Sequence, residues 1–158
     1  MKQKSKQKTI LLIEDERPLV RIIEAKLEKA GFDVVSARTI DQGLGYMEDI
    51  KTIDAVWLDH YLLGEKTGLD FIGKLKSPGS KWVKIPIFVV SNTASEGNLQ
   101  SYLRLGVSKY FVKAEHRLEQ ITEDIKSYLD SEQEGGVERQ HTCITTENKI
   151  QKLAIFTS

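Results

Sequence analysis

The chain has 158 residues, 40% of them hydrophobic and 29% charged, and its 23 Lys+Arg balance 23 Asp+Glu. That is about one domain with a core of its own, and the zero net charge excludes nucleic-acid binding by whole-molecule electrostatics, which needs a Lys/Arg surplus. The single cysteine, Cys143, excludes an internal disulfide and fits a reducing, cytoplasmic setting. His60, His116, His141 and Cys143 have no zinc-ligand spacing beyond the isolated pair His141 and Cys143.

The charge is uneven. Residues 1–8 carry +4 through Lys2, Lys4, Lys6 and Lys8, residues 9–130 carry −3, and residues 131–158 carry −1. The basic start followed by Ile10–Ile13 superficially resembles a signal peptide, but the apolar run is too short and ends in Glu14-Asp15-Glu16. No window approaches the roughly 20 apolar residues of a membrane span. Residues 1–8 read as a solvated, flexible basic arm.

Beyond the arm, apolar runs alternate with helical patterns. Thr9–Ile13 is a strand of β-formers ended by acids. Pro18 suits a first helical turn, Leu19, Ile23, Leu27 and Ala30 follow at helical spacing, and Gly31 stops them. Asp33–Ala37 is a short strand. Thr39 is an N-cap for a helix through Met47, weakened by Gly43 and Gly45. Ala55–Leu58 is a buried-type strand ending at Asp59. Leu69, Ile72 and Leu75 mark a third helix closed by Ser77-Pro78-Gly79. Ile85–Val90 is a fourth strand, Asn98–Leu105 a helix ended by Gly106, and Lys109–Val112 a fifth strand. Leu118, Ile121, Ile125 and Leu129 give a last amphipathic helix. Residues 131–158 lie outside the pattern: Gly135-Gly136 reads as a linker, and Ile150, Leu153 and Ala154 make at most one small helical stripe, or Leu153–Thr157 a strand.

Five β/α pairs imply an α/β fold, a parallel sheet covered on both faces by right-handed crossovers, with its site beyond the carboxyl ends of the strands. Those ends are polar: Glu14-Asp15, Asp59, Ser91 and Lys113. Three carboxylates at neighbouring strand ends need compensation to stay ionised. A hard divalent cation supplies it, since Mg²⁺ takes oxygen ligands and needs only one or two carboxylates plus a phosphate oxygen. Lys113 adds a point charge and Ser91 a hydroxyl, which together describe a site for a phosphoryl group on Asp59.

On these residues the chain resembles the receiver domain of bacterial two-component response regulators, the stand-alone, chemotaxis-regulator-like kind. The matching segments are Ile13-Glu14-Asp15-Glu16, Leu58-Asp59, Pro86-Ile87-Phe88-Val89-Val90-Ser91 and Tyr110-Phe111-Val112-Lys113; Asp15, Asp59, Ser91 and Lys113 are separated in turn by 44, 32 and 22 positions. The resemblance implies a flavodoxin-like, doubly wound (βα)5 sheet of order 2-1-3-4-5, with the receiver over 9–130 and 131–158 a tail of unknown role holding no separate effector domain. It implies that Asp59 is the nucleophile that takes a phosphoryl group from a histidine kinase or histidine phosphotransfer protein. Glu14, Asp15, Asp59 and the Tyr61 backbone carbonyl would hold Mg²⁺ or Mn²⁺. Lys113 would pair with the phosphoryl group, Ser91 would bond one of its oxygens, and Tyr110 would be the switch aromatic, moving inward with Ser91. Such a site works by positioning and charge neutralisation.

Several positions depart from the family pattern. Tyr61 stands two residues after Asp59, and Asn92 and Thr93 follow Ser91, where dephosphorylation is tuned; Tyr61 and Asn92 are expected to crowd the in-line water and prolong the phosphorylated state. Ala114 replaces the usual proline after Lys113, and a cis bond before a non-proline costs about 2.5–4 kcal/mol, which favours trans. His60 is read as a neighbour facing away from the site.

The resulting expectation is a cytoplasmic receiver that catalyses only its own phosphorylation and slow dephosphorylation. It would signal to a protein partner, or form a homodimer, through the last helix–strand–helix face near Leu99–Leu105, Tyr110 and Leu118–Leu129, with no direct DNA binding and no membrane. One alternative is a haloacid-dehalogenase-type phosphatase, disfavoured because Tyr61 stands where that chemistry wants a second acid. Another is a constitutive binding module, against which the intact acid, serine and lysine set argues.

Overall fold

A computed structural model describes residues 6–134 apart from 63, 93 and 94. Thr93, Cys143, His141, Gly135-Gly136 and the rest of the expected tail beyond 134 therefore lie outside the described residues, as do Lys2 and Lys4. Five strands are present, β1 (Thr9–Ile13), β2 (Asp33–Ala37), β3 (Ala55–Asp59), β4 (Ile87–Ser91) and β5 (Lys109–Val112), alternating with five helices, α1 (Arg17–Lys29), α2 (Ile40–Asp49), α3 (Gly68–Leu75), α4 (Glu96–Leu105) and α5 (Leu118–Glu134). The strands pair in parallel in the order β2-β1-β3-β4-β5, the doubly wound arrangement expected. Among the described residues no helix is long and apolar enough to cross a membrane.

The period of two along a strand sends alternate side chains to opposite faces, and because both faces are covered the central strands are apolar throughout. Leu11, Ile13, Val56, Leu58, Ile87 and Val89 pack with Met47, Phe71, Ile72 and Tyr102 of α2, α3 and α4. Ile10, Leu12, Trp57, Phe88, Val90 and Phe111 pack with Ile23, Leu27, Ile121 and Ile125 of α1 and α5. The Lys26–Glu119 ion pair ties the latter two helices together at the surface.

Local chemistry sets the boundaries. Thr39 caps α2 by accepting from the Gln42 N–H at 3.1 Å. Gly43 weakens α2 in isolation, but a Cβ there would stand 2.6 Å from Ile13 Cδ1, so the glycine lets α2 close onto β1. Thr67 and Asp70 form a capping box at α3. Gly106, at φ 88°, ends α4 in the left-handed conformation.

Several boundaries differ from the sequence reading, among them the end of α2, at Asp49 and not Met47. β4 begins at Ile87, not Ile85: Pro86 has no N–H for the ladder, and the Ile85 N–H closes the preceding loop on Trp82 O at 3.0 Å. α4 begins two residues earlier, at Glu96. α5 runs to Glu134, four residues into the expected tail, because nothing between Asp130 and Glu134 breaks a helix. Lys8 is not part of a free arm: its carbonyl accepts from the Asp33 N–H at 2.9 Å, and its ammonium donates to Leu129 O of α5 at 2.8 Å.

Candidate functional site

The carboxyl ends of β1, β3, β4 and β5 converge, with register pairs Ile13–Leu58, Asp59–Val90 and Ser91–Val112 bringing the polar strand ends to one level. Glu14 is 1% exposed, Asp59 4% and Ser91 0%. Glu14, Asp15 and Asp59 each offer a carboxylate oxygen, all within 4.8 Å of one another. Lys113 reaches in from β5, its Nζ 3.1 Å from Glu14 Oε2 and 3.5 Å from Asp59 Oδ2. The peptide bond to Ala114 is trans, and the Lys113 N–H donates to Ser91 O at 2.7 Å, which stitches β5 to the end of β4. Glu14 is held by the Glu16 N–H, which donates to Oε1 at 3.1 Å.

The Lys113 ammonium faces two buried carboxylates, Glu14 and Asp59. Burial, with the Asp59 charge second, pushes the Glu14 carboxyl up to about 7. Burial also raises Asp59, although the ammonium of Lys113 pulls it down. Asp59 Oδ1 is buried without a hydrogen-bond partner, an arrangement that costs free energy unless a ligand answers it. Oxygen ligands on rigid strand ends, one of them unanswered, suit a hard divalent cation, and the pocket fits Mg²⁺ and an aspartyl phosphate.

Tyr61 is 54% exposed, its ring edge-on to His60 with centroids 4.5 Å apart. Asn92 is exposed. Tyr110 is buried, 4% exposed, and packs beside Tyr102 at 5.7 Å between centroids.

Three features escaped the sequence reading. The Arg38 guanidinium reaches Asp15 O at 3.4 Å from the turn before α2. Lys113 stands closer to Glu14 than to Asp59. And His60 bonds through Nδ1 to the Tyr102 hydroxyl and through Nε2 to Asn98 Nδ2 at 3.1 Å. Burial lowers its basicity. A tyrosine on an apolar helical stripe carries no signal of where its hydroxyl goes.

Residues 10–126 match the response regulator receiver domain. The chain belongs to that family. A receiver domain is a signalling module of two-component systems that binds divalent metal through acidic residues and interacts with histidine kinases and downstream effectors. This receiver is 32% identical over 106 residues to the phosphate regulon transcriptional regulatory protein PhoB of Pseudomonas aeruginosa, covering 67% of the chain but only 45% of PhoB. It is 28% identical over 107 residues to chemotaxis protein CheY1 of Helicobacter pylori, covering 66% of the chain and 83% of CheY1. Among solved structures, a CheY-like receiver domain protein from Methanospirillum hungatei superposes with a TM-score of 0.70 at 26% identity, covering 82% of this chain and 100% of that one. The chain thus spans less than half of the first curated relative it matches.

Proposed function

We propose that Asp59 accepts a phosphoryl group from the phosphohistidine of a histidine kinase or phosphotransfer protein, with Mg²⁺ held by Glu14, Asp15, Asp59 and the Tyr61 carbonyl. The reading rests on one observation above all: a buried aspartate with an unanswered oxygen, 3.5 Å from a lysine ammonium and within 4.8 Å of two further carboxylates. A carboxylate oxygen of Asp59 attacks phosphorus, the P–N bond breaks, and its electron pair leaves with the imidazole. Lys113 then pairs with the phosphoryl oxygens, and the Ser91 hydroxyl, at the end of β4, bonds one of them. The metal, when bound, offsets the negative charge that phosphorus brings among the carboxylates.

The output is a change in a protein-binding surface on α4, β5 and α5, with Ser91 at the end of β4 and the buried Tyr110 of β5 as the switch residues. The output passes by protein contact, either to a partner or to a second copy of the chain.

Incubation of the chain with a small phosphodonor and MgCl₂, followed by intact-mass measurement, tests the reading. A gain of one phosphoryl group that is lost with chelator and absent in Asp59→Ala supports it. No gain in the unmodified chain sinks it and favours a binding module that is not phosphorylated.

A further inference from the structure

Of the two residues flanking His60, Asp59 is the proposed phosphoacceptor and Tyr61 supplies the proposed carbonyl ligand. Anything that grips the His60 ring therefore grips the segment that holds the metal and the phosphoryl group. His60 is 9% exposed, and both its ring nitrogens are held by one helix, α4. With the Asn98 amide donating to Nε2 at 3.1 Å, Nδ1 carries the proton and donates to the Tyr102 hydroxyl oxygen. Asn98 and Tyr102 are four residues apart, so they lie on one face of α4.

Tyr102 is fully buried, with its ring at right angles to His60 and centroids 5.4 Å apart. Its hydroxyl lodges between the end of β3 and the start of α3. A Cβ on Gly68 would stand 2.5 Å from that oxygen and 3.4 Å from Asp59 O, so the glycine leaves the room the hydroxyl occupies. Packing this close does not deform smoothly; a small displacement on one side is passed to the other.

We propose that His60 is a positioning residue which, through Tyr102 and Asn98, fastens α4 to the phosphoacceptor end of β3 and couples the two. The coupling rests on the phosphoryl-acceptor reading for its input, and it runs through β3 and α4 without Ser91. Because coupling is reciprocal, a partner that grips α4 changes metal affinity at Asp59 just as metal and phosphoryl change α4.

Amide hydrogen exchange in α4 of the full chain tests this, read with chelator, with MgCl₂ alone, and with MgCl₂ plus a small phosphodonor. Ligation is expected to slow α4 exchange by about threefold or more. Tyr102→Phe, which keeps the ring, is expected to lose more than half of that change while intact mass still records the phosphoryl gain. Asn98→Ala, a milder lesion near the helix start, is expected to lose part of it. Leu103→Ala loosens α4 without touching His60, so exchange should quicken in every condition while the response keeps its full size. A wild-type response in both Tyr102→Phe and Asn98→Ala overturns the coupling, as does an equal loss of response in Leu103→Ala. Failure of the phosphoryl reading has a different signature, no mass gain in wild type, and the MgCl₂-alone comparison then still decides: an α4 that ignores the metal in wild type overturns the coupling.

Discussion

The ammonium of Lys113 lies 3.1 Å from Glu14 Oε2, joining two side chains 99 residues apart in sequence across the mouth of the sheet. Glu14 is the more deeply buried of the two, and that fixes the sign of a pH effect. Its carboxyl ionises at about 7 in the folded chain against an ordinary 4.5, because burial and the Asp59 charge disfavour the anion. Between those two pH values the folded state holds a proton that the unfolded state has lost, so this group's contribution to stability falls as pH rises through that window. Glu14→Gln removes the effect. The stability of Glu14→Gln relative to wild type, measured by urea unfolding in chelator, is expected to increase steadily from pH 4.5 to 7 and then level off. A difference that stays flat across that range would show that Glu14 is not held protonated.

Among the described residues, Lys113 is the cation paired with the buried acids Glu14 and Asp59. Lys113→Met leaves Glu14 and Asp59 without it, and some of the loss is recovered as a carboxyl takes up a proton. The expected destabilisation at pH 7.5 in chelator is about 1–3 kcal/mol. The ammonium also competes with a metal for Glu14 and Asp59. MgCl₂ is therefore expected to raise the melting temperature of Lys113→Met by more than that of wild type. A smaller rise would mean that Lys113 helps to hold the metal and does not compete with it.

Most of the site was legible in the sequence because a parallel sheet brings strand ends together, and Glu14-Asp15, Asp59, Ser91 and Lys113 each follow an apolar run. What was not legible depends on side-chain direction across large separations. Nothing local tells that Lys113 leans to Glu14, or that the Tyr102 hydroxyl reaches under α3 to His60. Apolar periodicity cannot see where a polar helix end stops either, so α5 runs past Leu129 to Glu134. Pro86 was a readable signal: lacking an N–H, it marks the residue before β4 and not its interior.

Tyr61, two residues after Asp59, is 54% exposed, with its ring edge on His60. A bulky ring there is expected to hinder water from reaching phosphorus in line with the Asp59 oxygen. Tyr61→Ala is then expected to shorten the half-life of phospho-Asp59 by about threefold or more, measured by the decay of the phosphoryl mass after the donor is removed. A half-life equal to or longer than that of wild type would rule out shielding by Tyr61.

Gly43 and Gly45 lower the helix propensity of α2 equally, but their surroundings differ. Gly45 is exposed, and a Cβ there would meet nothing within 4 Å. Gly45→Ala therefore gains helix propensity at no packing cost and is expected to stabilise the chain by about 0.5–1 kcal/mol, a rise of a few degrees in melting temperature. At Gly43 the new methyl would press on the fully buried Ile13, 2.6 Å from its Cδ1 and 3.3 Å from its Cγ1. Overpacking of that kind costs about 1–3 kcal/mol and outweighs the same propensity gain, so Gly43→Ala is expected to lose about 1 kcal/mol net. Because Ile13 directly precedes Glu14, the displacement is expected to weaken Mg²⁺ binding in Gly43→Ala and not in Gly45→Ala. Equal stabilisation by both substitutions would show that α2 can move off β1 without cost and that Gly43 is not a packing requirement.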